Sequence, residues 1–146
     1  MMLATRIIPA LLLLAACRTP SPPAPTPAEE GGRSLIEARR RQGIDLFAVG
    51  HEPEWSLEID EEGDLRLLPL EGDSLQTPLA SFRKTRSRRT TRYELRQGDT
   101  RLRISLSKQP CRDNMSGQAF PLTATVEWVG PAGVVRTLQG CATRIR

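Results

Sequence analysis

The chain has 146 residues, of which 38% are hydrophobic and 26% charged, with a formal net charge of +4. That is one small domain's worth of chain, which excludes a TIM barrel, a two-domain dinucleotide enzyme and a polytopic membrane protein. The foldable part is smaller still: residues 1–16 read as a removable leader, and five of the twelve prolines lie between Pro20 and Pro27. The segment expected to fold is 34–146, of a size that often needs a covalent staple.

In the leader, Arg6 precedes an apolar run from Ile7 to Leu14 broken only by Pro9, then Ala15 and Ala16. This is a secretory signal, too short to span a bilayer as a helix. Leu14-Ala15-Ala16-Cys17 resembles the lipobox of bacterial lipoproteins. The resemblance implies cleavage before Cys17, diacylglycerol on its sulfur and acylation of the new amino terminus with a palmitate-type chain. Three acyl chains exceed the two signals that stable anchoring requires. Arg18 in place of Asp implies sorting to the outer membrane, by the habit of Gram-negative lipoproteins, with the domain in the periplasm. The alternative is an ordinary signal peptide with an incidental cysteine. Cys17 and residues 18–33 (RTPSPPAPTPAEEGGR) then form a lipidated tether. In polyproline II conformation it would reach up to roughly 50 Å.

A short helix is expected over 34–42 (SLIEARRRQ); beyond it the pattern has period two. Trp55, Leu57 and Ile59 alternate with Ser56, Glu58 and Asp60, and Leu65 and Leu67 follow the turn at Glu61-Glu62-Gly63. Tyr93 and Leu95 lead through Gly98-Asp99 to Leu102, Ile104 and Leu106. Leu122, Ala124, Val126 and Trp128 alternate next, and Gly130-Pro131-Ala132-Gly133 turns into Val134 to Leu138. Alternation buries one face and wets the other. Seven or eight such strands without a crossover helix predict an all-β fold, a small antiparallel barrel or sandwich.

With Cys17 acylated, Cys111 and Cys141 remain, and an even pair in an oxidising compartment reads as one disulfide. The rivals are a metal site or a reactive thiol pair. There is no Cys-x-x-Cys, and His51 is the only histidine, so zinc-type spacing is missing. No metal or cofactor is expected.

Charge is uneven. Residues 45–73 hold ten acids and one base, Arg66; residues 83–146 hold fourteen bases and four acids. The densest run, RKTRSRRTTR from Arg83 to Arg92, suggests a polyanion partner, with lipopolysaccharide phosphates or phospholipid headgroups as candidates rather than nucleic acid. The favoured alternative is structural: acidic early strands lie beside basic later ones and their charges pair on the wet face.

Two stretches stand out: Gly50-His51-Glu52-Pro53-Glu54-Trp55, and Cys111-Arg112-Asp113-Asn114-Met115-Ser116-Gly117 followed by Phe120-Pro121 and, later, Leu138-Gln139-Gly140-Cys141-Ala142. Together they resemble a family of uncharacterised bacterial envelope proteins with G-x-E-P-F-W, C-x-D-x-M-S-x-x-x-Y-P and L-x-G-C-A motifs. Glu54 replaces the aromatic before Trp55, and Phe120 replaces the tyrosine before Pro121. The resemblance spans about 44–143. It implies a membrane-associated lipoprotein and supports the Cys111–Cys141 pairing without supplying a reaction.

In physical terms Trp55 is a core anchor, Met115 core filler, and Asp113, Asn114 and Ser116 satisfy backbone donors in an irregular loop. If these residues also bind a ligand, the site lies where the 50–55 turn meets the 111–118 loop. Its candidates are Glu52, Trp55, Asp113, Asn114 and Ser116. A His51–Ser116 nucleophile pair or a Glu52/Asp113 (or Glu54/Asp113) carboxylate pair would make an envelope hydrolase. Ser116-Gly117-Gln118-Ala119-Phe120 is also similar to the Ser-Gly-x-x-Tyr loop of periplasmic lysozyme inhibitors, whose loop enters the lysozyme cleft. The expectation is a non-enzymatic, lipid-anchored binding module of the cell envelope, whose partner is an anionic polymer or another envelope protein.

Overall fold

The computed structural model describes residue 24 and residues 26–69, 74–129 and 133–146. The leader, Cys17, most of the Pro-rich segment and the Gly130–Ala132 part of the last turn lie outside the described residues. Among the described residues no helix is long and apolar enough to cross a membrane.

The fold is mostly β, as the alternation predicts. Nine strands form one curled antiparallel sheet: β1 (Ile44–His51), β2 (Glu54–Asp60), β3 (Asp64–Pro69), β4 (Leu75–Pro78), β5 (Arg83–Arg86), β6 (Thr90–Gln97), β7 (Thr100–Ser107), β10 (Leu122–Val129) and β11 (Val135–Arg144). Between β7 and β10 a two-stranded ribbon forms from β8 (Cys111–Arg112) and β9 (Ala119–Phe120). The order β4-β3-β2-β1-β11-β10-β7-β6-β5 makes β4 and β5 the edges. These edges are consecutive in the chain, joined by a 3-10 turn at Leu79–Ser81 and by Phe82, so the sheet curls into a half-barrel whose margins approach each other.

Inside the curl, Leu46, Ala48, Trp55, Leu57, Leu65, Leu67, Tyr93, Leu102, Ile104, Leu106 and Val126 form the main core. Outside β1, each is the apolar member of an alternating strand. A second, smaller core lies on the outer face, where Ile44, Phe47, Phe120, Cys141 and Ile145 pack with Ile36, Val49 and Cys111. Strand β1 is therefore covered on both sides. This explains why Leu46-Phe47-Ala48-Val49 reads as a continuous apolar run rather than an alternating one. A register shift between Ile44 and Leu46 lets Ile44 join the outer cluster.

Helix α1 (Pro27–Arg41) covers part of that outer face. It begins seven residues before Ser34, so residues 27–33 are helical rather than extended. Thr26 is the N-cap, its carbonyl accepting the Glu30 N–H at 3.0 Å, and Pro27 takes the first helical position, which its fixed φ suits. Arg39, Arg40 and Arg41 in the last turn complement the helix dipole. Arg39 also pairs with the nearly buried Glu58 at 3.2 Å and lies over the Phe47 ring.

The Cys111–Cys141 disulfide is present and fastens the ribbon to β11. The favoured pairing of acidic early strands with basic later ones is found, among the described residues, only at the C-terminus, where β11 lies beside β1 and Arg146 pairs with Asp45 and Glu61; the basic run does not share in it. Acidic β1–β3 and basic β5–β7 occupy opposite ends of the strand order. Arg103 pairs instead with Glu94 and Glu127, acids of the basic half. None of the six cations between Arg83 and Arg92 forms an ion pair among the described residues.

Candidate functional site

The β1–β2 hairpin turns at Glu52-Pro53, with His51 and Glu54 paired across its mouth and the Glu52–Pro53 peptide cis. On the outer face, successive rows align Val49 with Cys141 and Cys141 with Thr123, while Gln139 pairs with Thr125. The ribbon, fastened at Cys141, stands beside these rows and leaves a cavity of about 420 Å³. Its walls include His51 and Glu52 from the hairpin, Asp113 and Asn114 from the ribbon loop, and Thr123, Thr125 and Gln139 from β10 and β11.

A salt-bridge geometry joins the two motif-bearing segments. His51 Nε2 lies 2.9 Å from Asp113 Oδ1, both side chains being largely buried. Facing a carboxylate, Nε2 is the protonated nitrogen of the ring. Asp113, only 5% exposed, also organises its own loop. Its Oδ2 accepts the Ser116 N–H at 2.9 Å and the Ser116 hydroxyl, and Ser116 Oγ in turn accepts the Gln118 N–H at 3.2 Å. Backbone bonds from the Asp113 N–H to the Gln118 carbonyl and from the Gly117 N–H to the Asp113 carbonyl close the turn. Gly117 sits there at φ 70°, the left-handed conformation that suits glycine.

Burial pushes the Asp113 carboxyl up. The Ser116 hydroxyl and N–H, the His51 ring and the Met115 N–H more than offset this, so the group is held below the ordinary carboxylate range. Asp113 is thus an ionised structural centre with both oxygens engaged.

The candidate residues divide into three groups. Glu52 and Asn114 are exposed on the cavity wall. Asp113, a buried wall residue, and Ser116, off the wall, build the loop that carries Asn114. Trp55 faces away, 1% exposed in the main core, with its indole N–H donating to the Gln139 carbonyl at 3.2 Å. It supports the wall from beneath rather than meeting a ligand. Met115 is not core filler: it is 75% exposed, because the turn that wraps the Asp113 carboxylate carries its side chain outward. Ser116 bonds the carboxylate rather than the imidazole, so His51 and Ser116 flank Asp113 instead of pairing with each other. Glu54 lies on a separate depression with Pro53, Pro69 and Trp128. In the Ser-Gly-x-x-aromatic stretch, Phe120 is 4% exposed within the outer core.

Thr123, Thr125 and Gln139 are wall residues outside the set of sequence candidates, although Gln139 belongs to the Leu138–Ala142 stretch. Their signal was present but faint: each is the polar member of an alternating strand beside the Gly140-Cys141 dipeptide. Gly140 itself is required by close approach, since a Cβ there would overlap the Val49 carbonyl and press on Trp55. Among the described residues, no group of three or more His, Cys, Asp or Glu side chains is placed to hold a metal ion. No protein-family model, curated protein or solved structure matches the chain.

Proposed function

We propose that the chain is a lipid-anchored, non-enzymatic binding module of the cell envelope, and that its ligand enters the cavity between the β1–β2 hairpin and the ribbon. The observation that carries this reading is the His51–Asp113 contact at 2.9 Å, which holds two distant sequence motifs together at the wall of a cavity of about 420 Å³. Such a cavity is within the size range of small-ligand sites. Its hydroxyl, amide and carboxylate groups suit a polar ligand rich in hydroxyls or amines, such as a glycan or peptide fragment of the envelope. Asp113 is not suited to act as a general acid, which must hold a transferable proton, because its carboxylate is kept ionised and engaged at both oxygens. The anchor is inferred from Leu14-Ala15-Ala16-Cys17 and the outer-membrane location from Arg18.

The test is capture from solubilised envelope with the full chain and with Glu52→Gln/Asn114→Ala. Both residues are exposed, so the variant should melt with the wild type. The expected result is a glycan or peptide species retained by the wild type and lost from the variant. Equal retention by both proteins would remove the cavity from the reading, and a chemically processed species would replace binding with catalysis.

A further inference from the structure

The curled sheet leaves a second cavity, of about 320 Å³, at the margin formed by the β5–β6 hairpin, the last residues of β7, the first of β10 and the last of β11. Four cations line it, Arg86, Arg89, Lys108 and Arg144, and no carboxylate does. They come from three separate parts of the sequence and are gathered by the ladders. Arg86 pairs with Thr91 and Thr91 with Leu106, while the Lys108 N–H donates to the Arg89 carbonyl at 2.7 Å. Arg144 reaches the same place from the far end of β11, two residues beyond the pairing of Leu122 with Ala142. Leu106 from the main core and Leu122 packed against it supply apolar lining.

None of the four cations has an ion-pair partner among the described residues, whereas Arg39, Arg66, Arg103 and Arg146 all do. Collecting four like charges around one cavity is unfavourable unless an anion joins them. Three of the four are guanidinium groups, whose planar forks match the oxygens of a phosphate better than an ammonium does. The leucines provide a surface for the carbon skeleton that carries the phosphate.

We infer that this cavity binds a phosphate-bearing ligand, independently of the cavity beside Asp113. Isothermal titration of the full chain with pyrophosphate reads a soluble phosphate. Cosedimentation with phosphatidylcholine vesicles, alone or mixed with phosphatidylglycerol, reads a lipid headgroup, and the neutral vesicles subtract any contribution of acylation. Binding in either arm, weakened by salt, is expected, and the arm that responds identifies the source. Arg86→Gln/Arg89→Gln/Arg144→Gln should lose at least about tenfold in affinity. Arg83→Gln/Arg96→Gln/Arg101→Gln removes the same charge from exposed positions outside the cavity and should lose much less. Lys108→Gln provides a single-site check if the triple variant melts early, with a loss of about threefold expected. The inference is overturned if neither probe binds, if the two triple variants weaken binding equally, or if all the cavity variants bind like the wild type.

Discussion

Replacing Cys111 and Cys141 by alanine should lower the melting temperature by roughly 15 °C. The bond closes a loop with a sequence separation of 30. In the chain-entropy model, opening such a loop costs about 3.6 kcal/mol at 25 °C. Cys141 is 3% exposed in the outer cluster, so losing its sulfur adds on the order of 1 kcal/mol of packing. Each kcal/mol moves the melting point of a domain this size by about 3–4 °C. Calorimetric melts of the double variant, and of the wild type with and without reductant, measure the effect. The ribbon has only two strands of two residues each, so it should detach locally at a lower temperature than the sheet melts. Hydrogen exchange at the Asp113 amide, which donates to the Gln118 carbonyl, reports this directly. A double variant melting within about 5 °C of the wild type would refute the reasoning, since the entropy term alone predicts more.

Asp113→Asn should destabilise the chain by about 2–4 kcal/mol, because it leaves His51 and the Ser116 donors without their carboxylate. The same variant should change the acid limb of stability. Asp113 is held below the ordinary carboxylate value of about 3.9, so its contribution is full above that pH and is lost as pH falls through the depressed value. Melts between neutral and strongly acidic pH should show a flatter acid limb for the variant. Gly140→Ala should cost about 1–3 kcal/mol, since its Cβ would overlap the Val49 carbonyl, and denaturant titration reads it. Met115→Ser should leave the unfolding free energy unchanged within about 0.5 kcal/mol in denaturant titration, in keeping with an exposed side chain.

Strands with one wet face were legible: Trp55-Leu57-Ile59, Leu102-Ile104-Leu106 and Leu122-Ala124-Val126 mark β2, β7 and β10 by alternation alone. Strand β5 was not, because Arg83, Lys84, Thr85 and Arg86 are all exposed and no apolar residue marks a face. The start of α1 was obscured by Gly31 and Gly32, poor helix formers, although Pro27 at the first turn favours initiation. Gly32 is tolerated there partly because it lets the helix meet Gln118, a contact made across 86 residues of sequence and unreadable locally. The meeting of the 50–55 turn with the 111–118 loop was anticipated from motif residues. What could not be read was that β11 would lie between them, bringing Gln139 and Cys141 to the wall. As the lone histidine, with Ser116 in the same motif set, His51 suits a catalytic base on sequence grounds. Its role as the partner of a buried carboxylate depends on a distance that no spacing in the sequence encodes.

The unjoined margins of the half-barrel carry a hazard of their own. A free β edge offers unpaired backbone groups to any extended segment, including the same edge of another molecule. On β5 that edge is guarded by Arg83, Lys84 and Arg86, and two copies approaching edge to edge would bring like charges together. The cluster therefore acts as a gatekeeper against self-association. Neutralising those side chains, by substitution or by a bound polyanion, would be expected to promote assembly through the β5 edge.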